Sequence, residues 1–382
     1  MPILRPSATR TRALLVVLAA VSVVALFTTR VSRKMPDFQV YRTAAARALA
    51  AEPLYREEDG HYQFKYLPAF AVLAAPAALM PEEAAKAAWF VASALLMTAL
   101  LGLSVRAMPR LRRPAALLLV LTFLAMAKFY AHELVLGQVN LLLGALAALA
   151  IVCLRNRRDA AAGLLLALAV VVKPYAAIFA PWLATRRNRT AFATMTAGMV
   201  VLLLLPAVRY GWAGNLRLLA DWWHTVAATT APNLTNPDNV SLGSLFAKWL
   251  GTDSNARILA AAAAVLLLAL TGVVIAGRGG LSTPETLEAS MLLLLIPLIS
   301  PQGWDYVLLI GTPAVMLLVN EDASLPRGLR VATIAAIVLV GLTVYDLVGR
   351  GFYTAFMQLS VVTVCVAIEI AALAVLRFRR VA

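Results

Sequence analysis

The sequence predicts an all-α polytopic membrane protein, folded as one domain over residues 1–382. Three observations carry this. Hydrophobic residues make up 62% of the chain and charged residues only 14%, with a mean hydropathy of +0.82, beyond the range of soluble domains. Apolar runs of about 13 to 24 residues recur from end to end, with no polar block long enough for a separate soluble domain. The net charge of +15 comes from arginines gathered in short segments between those runs. That is the signature of membrane topology and anionic-lipid contact, and no nucleic-acid partner is expected.

Arg5, Arg10 and Arg12 precede the first run, residues 13–29, and no small-residue cleavage site with a soluble domain follows it. It reads as a signal-anchor span with its N-terminus in the cytoplasm. Residues 30–85 then form a first outer loop with juxtamembrane helices. Phe38, Tyr41, Ala45 and Leu49 recur at helical spacing, with Arg42 and Arg47 off that face, so an amphipathic helix on the membrane surface is expected. Residues 65–80 carry Pro68 and Pro76, and a full crossing there would force the Arg106, Arg110, Arg112 and Arg113 cluster outside. A juxtamembrane or re-entrant helix fits better.

Short spans occupy 86–208, with runs at 86–106, 114–130, 139–154 and 190–208. Residues 160–185 lie between two basic clusters, Arg155, Arg157 and Arg158 on one side and Arg186, Arg187 and Arg189 on the other. Lys173-Pro174 breaks this stretch, which predicts two short helices meeting near Lys173 on the outer side. A long outer loop covers 209–256, and C-terminal spans fill 257–376, with runs at 257–277, 286–299, 304–319, 330–348 and 355–376. Arg377, Arg379 and Arg380 close the chain on the inner side. The total is about twelve spans with both termini cytoplasmic. Cys153 and Cys365 fall within apolar runs and are expected to stay free.

On this map the unusual polar residues collect on the outer face. Asp37 starts the surface helix, where it serves either as a helix N-cap or as a free carboxylate available for chemistry. Lys65 and Lys173 sit in apolar surroundings, so an anionic lipid headgroup is a natural partner; Lys65 could equally snorkel, as could Lys128. His132, Glu133, Gln138 and Asn140 cluster at an outer turn. His132 and Glu133 are adjacent on a helix, with no third ligand spaced to help, so no metal site is expected. Gln138 and Asn140 read as hydrogen-bond donors to a ligand or a neighbouring helix. The long loop holds Trp222, Trp223 and His224, then Asn239 and Ser241, and the 300–306 break holds Trp304 and Asp305. Tryptophans here form an interface belt or stack on sugar rings, and the 300–306 break is itself a plausible hairpin turn. The sequence contains no Gly-rich phosphate loop, zincin helix or nucleophile elbow, and no room for a soluble nucleotide-binding domain.

An ordered set of motifs now stands out: Asp37-x-x-x-Tyr41, Leu54-Tyr55, Phe64-Lys65-Tyr66-Leu67-Pro68, Gly137-Gln138-Val139-Asn140, Gly163 to Lys173-Pro174, Asn239-x-Ser241-Leu242, and Ser300-Pro301 followed by Trp304. In this order the set resembles glycosyltransferase family 87, polyprenol-phosphate-mannose-dependent mannosyltransferases of the GT-C fold. The resemblance implies an integral plasma-membrane hexosyltransferase with an extracytoplasmic active site. Its donor would be a polyprenyl-phosphate sugar and its acceptor a glycolipid or glycan, with no cofactor or metal required.

Asp37 matches the family's general base. Lys65, Lys173, Gln138 and Asn140 would line the donor phosphate, and Tyr41, His132, Glu133, Trp223, His224, Asn239, Ser241, Trp304 and Asp305 are candidates for sugar or acceptor contacts. The chain departs from the family at one point: many members carry histidine after the tryptophan of the Ser-Pro motif, where this chain has Asp305 and Tyr306. A transporter or flippase for lipid-linked saccharides is the alternative. Charges gathered at one rim, and the lack of a visible internal repeat, weigh against it.

Overall fold

A computed structural model describes residues 24–277 and 283–379. Arg5, Arg10, Arg12 and Arg380, and with them residues 13–23 of the first predicted span and the cytoplasmic placement of both termini, lie outside the described residues. Among the described residues all regular structure is helical apart from one isolated bridge between Asn239 and Trp304.

The chain enters through a π-turn at Phe27–Val31 and forms the surface helix α1 (Pro36–Ala50). Phe38, Tyr41 and Ala45 of α1 are buried, as the helical spacing predicted. The stretch expected to be juxtamembrane or re-entrant is a pair of short helices, α2 (Pro68–Leu73) and α3 (Ala75–Leu79). Helices α4 (Glu82–Ala107), α5 (Ala115–Leu136), α6 (Asn140–Arg155) and α7 (Asp159–Val172) follow. After Lys173 a 3-10 turn (Pro174–Ile178) leads into α8 (Phe179–Thr185), which is the broken pair the sequence predicted.

The segment expected as a long outer loop, 209–256, is mostly helical. Helix α9 (Arg189–Leu204) bends by 92° into α10 (Ala207–Asn233), and α11 (Leu242–Leu250) follows. The C-terminal part holds α12 (Ser254–Ala276), α13 (Glu285–Ile299), α14 (Thr312–Glu321) after a 3-10 stretch from Asp305, α15 (Arg327–Leu342), α16 (Arg350–Gln358) and α17 (Val361–Phe378).

A bilayer core of about 30 Å needs roughly 20 helical residues. Five described segments meet that by length and composition: α4, α5, α12, Asp305–Ser324 and α17; the bent α9–α10 pair adds a sixth only if it is counted as one broken span rather than a re-entrant loop. Helices α6 and α7 are apolar but shorter. Among the described residues the chain is therefore an all-helical membrane protein in which five or six segments are long enough to cross a bilayer alone.

The basic clusters converge at one end of these helices. Arg155 Nη1 donates to the Arg106 and Met108 carbonyls at 2.8 and 2.9 Å. Arg112 pairs with Glu321 and Arg113 with Asp322, each at 2.5 Å, and Arg186 pairs with Glu285 and Glu288. Asp37, Gln138, Lys173 and Asp305 lie at the other ends of the same bundle. Cys153 and Cys365 are buried and free.

Candidate active site

Asp37 is placed by a glycine. Helix α5 ends at Gly137 in the left-handed conformation (φ +69°), and a Cβ there would come within 2.8 Å of Phe38 Cβ and 3.1 Å of Met35 Cβ. The bare glycine lets the start of α1 sit against the α5 terminus, fixed by Met35 N–H donating to the Val135 carbonyl at 3.1 Å. Met35 occupies the N-cap and Pro36 the first helical position. The Asp37 carboxylate is therefore not the cap, and it is left to face a cavity.

That cavity has a volume of about 730 Å³ and opens at the rim of the bundle. Asp37, Lys65, Gln138, Lys173, His132, Trp223, Trp304 and Asp305 all line it, joining motifs spread over most of the chain. Burial pushes the Asp37 carboxyl above the ordinary aspartate range; a hydrogen bond from Gln138 and the charges of Lys173, His61 and Lys65 only partly offset this. Burial likewise pulls the Lys65 ammonium down, with Asp37 opposing.

Gln138 is buried, and its orientation is fixed on three sides. Its Oε1 accepts from the Tyr41 hydroxyl at 2.9 Å and from Tyr66 at 3.3 Å, while Nε2 donates to Tyr306 at 3.2 Å. The second amide hydrogen is then available to Asp37. Lys173 is extended (φ −146°) because proline follows it, and this ends α7 at the cavity wall. Its ammonium lies 5.9 Å from the Tyr66 ring centre and 6.0 Å from that of Tyr306, a cation–π cradle that leaves the N–H donors to a ligand.

A second polar group meets the same cavity. Lys128 Nζ stands 3.3 Å from the Asp305 carboxylate and His132 Nδ1 3.7 Å from it. Lys128 does not snorkel: its side chain is only 6% exposed, and it neutralises a buried acid. Asp238, Trp222, Gln302 and Tyr306 also line the cavity. Asp238 and Gln302 are not among the residues expected to contact substrate, and Lys128, expected to snorkel, instead pairs with a residue far away in the chain.

Several predicted contacts lie behind the wall and brace it. Glu133 accepts from the Leu141 N–H and from Asn140 Nδ2, both at 2.8 Å, closing the start of α6, so neither Glu133 nor Asn140 faces the cavity. Tyr41 spends its hydroxyl on Gln138 and Tyr66. Asn239 ties two loops together, donating to the Asn233 and Pro301 carbonyls at 3.0 and 3.1 Å, and Ser241 caps α11 through the Ser244 N–H. Buried backbone groups at helix ends need such partners, and Asn, Ser and Glu supply them. His224 is exposed and does not line the cavity. Gly303 completes the junction, since a Cβ there would lie 1.9 Å from the Pro297 carbonyl oxygen. Among the described residues no group of three or more His, Cys, Asp or Glu side chains is arranged to hold a metal ion.

The fold and cavity define an integral membrane protein with a lysine-flanked carboxylate in a cavity at one end of its helices. Residues 64–301 match glycosyltransferase family 87, and the chain belongs to that family: it is a membrane glycosyltransferase. The matched segment includes Lys65, Gln138 and Lys173; Asp37 and Asp305 flank it and join the site through the fold. No curated protein and no solved structure matches the chain.

Proposed function

We propose that the chain transfers a hexose, mannose by family resemblance, from a polyprenyl-phosphate carrier to a hydroxyl of a lipid or glycan acceptor. The observation that supports this most is the meeting of a carboxylate free of any capping role with two lysines in one cavity. Asp37 removes the proton from the acceptor hydroxyl as that oxygen bonds to the anomeric carbon. The bond from the anomeric carbon to the phosphate oxygen breaks, its electron pair leaves with the carrier phosphate, and the carbon inverts. Lys65 and Lys173 stabilise the charge that grows on the departing phosphate. Two lysines suffice for a monophosphate leaving group, so the scheme calls for no metal or cofactor.

In this reading the chain is a GT-C type multi-pass domain of about twelve crossings in the plasma membrane, with the basic end and both termini cytoplasmic and the cavity extracytoplasmic. Mass spectrometry of membrane glycolipids and glycans tests it. A strain lacking the chain should accumulate a product short of one hexose, restored by the wild-type gene; an unaltered profile contradicts the proposal.

A further inference from the structure

The proposed chemistry leaves unused a second carboxylate in the same cavity. Asp305 is fully buried, and its carboxylate oxygens have no well-aligned hydrogen bond within the protein. Lys128 at 3.3 Å and His132 at 3.7 Å are ion-pair neighbours without hydrogen-bond geometry. Lys128 is held in place by the rings of Phe129 and Tyr353, 5.3 and 5.4 Å away. The charge of Asp305 is thus compensated by two long contacts that leave most of its lone pairs unused. An ionised carboxylate has about four acceptor sites, and under-using them in a buried place is costly.

The surroundings indicate what fills them. Asp238 lines the cavity next to Asp305, accepting the Tyr353 hydroxyl at 2.9 Å, and its backbone carbonyl takes the Asp305 N–H, also at 2.9 Å. Two carboxylates repel a phosphate, which belongs with Lys65 and Lys173. They accept O–H donors well, and Trp304 and Trp223 line the same cavity, where indole rings suit the C–H side of a sugar ring. His132, edge-on to Tyr306 at 6.1 Å between ring centres, adds a donor or acceptor beside them.

We propose that Asp305, with Asp238 and His132 beside it, receives the vicinal hydroxyls of a hexose ring and so sets the sugar specificity of the enzyme. This rests on the sugar-transfer reading of the cavity and divides it into a phosphate side and a hydroxyl side. The ring arrives on the donor carrier or at the end of the acceptor, and the chemistry of its recognition is the same in both.

Equilibrium binding to the full chain in lipid nanodiscs tests this with two probes, polyprenyl phosphate mannose and bare polyprenyl phosphate. For a donor ring, wild type binds the mannosylated carrier about tenfold tighter or more, and Asp305→Asn abolishes that preference without changing affinity for the bare carrier. For an acceptor ring, the preference survives in Asp305→Asn, but inhibition of transfer by methyl α-mannoside weakens about tenfold. A variant that keeps both preference and inhibition overturns the subsite. Asp305→Asn strands the Lys128 charge, so Lys128→Met/Asp305→Asn is measured beside it. The same loss in the double variant supports a ligand role, whereas recovery of wild-type behaviour overturns it. Wild-type protein that binds the bare carrier with neither preference nor inhibition overturns the subsite alone; binding neither carrier overturns the donor assignment with it.

Discussion

Asp37 lies near the lysines Lys173 and Lys65, an arrangement that ordinarily holds a carboxyl below its usual range, yet burial wins and raises it. Only the ionised form can take a proton, so transfer should rise with pH through this raised pKa and level off above it. Lys173→Met and Lys65→Met each remove a charge that pulls the pKa down, so the acid limb of kcat/KM should move to higher pH. Each should also weaken donor use roughly tenfold or more through loss of a charge-assisted contact. A pH–rate profile checks both, and a limb moving to lower pH would contradict the assignment. Asp37, Lys65, Gln138 and Lys173 were legible in the sequence because each is a polar residue at the edge of an apolar run. The Lys128–Asp305 pair was not, since nothing local in either segment names its partner. Asn239, Ser241, Asn140 and Glu133 misled for a physical reason: side chains suited to sugar hydroxyls are equally suited to orphan backbone groups at helix ends.

At the scale of the element, the site depends on how α1 docks onto the end of α5. Gly137→Val adds atoms where Phe38 and Met35 already pack and forces a β-branched residue into the left-handed region. We expect a loss of about 3 kcal/mol of stability from overpacking and backbone strain combined, seen as a lower thermal midpoint in nanodiscs, together with loss of transfer. An unchanged midpoint would show that the docking does not hold the site. The loop over the cavity is anchored separately: Arg47 grips Asp59 with both terminal nitrogens, at 2.5 and 2.7 Å, and Tyr55 donates to the Tyr66 carbonyl at 2.7 Å. Apolar runs revealed where these helices lie. The 92° bend between α9 and α10 was not legible, because hydropathy reports that a segment is apolar but not the direction in which it runs.

For the whole molecule, the basic clusters around residues 106–113, Arg155 and Arg186 gather at one end and the cavity opens at the other. The topology proposal predicts opposite labelling of two exposed positions by a membrane-impermeant thiol reagent. Glu58→Cys should react in intact cells and Arg187→Cys only after lysis; the native Cys153 and Cys365 are buried and should contribute little background. The reverse pattern would place the cavity in the cytoplasm. The number of crossings was less legible, since runs of similar hydropathy include helices too short to span alone. The central claim is that this cavity transfers a sugar with Asp37 as base, and the most direct measurement is transfer of labelled mannose from polyprenyl phosphate by purified protein in nanodiscs. Wild type should transfer, and Asp37→Asn should lose roughly 100- to 10,000-fold in kcat while still binding the donor. Transfer by Asp37→Asn at the wild-type rate would contradict the account.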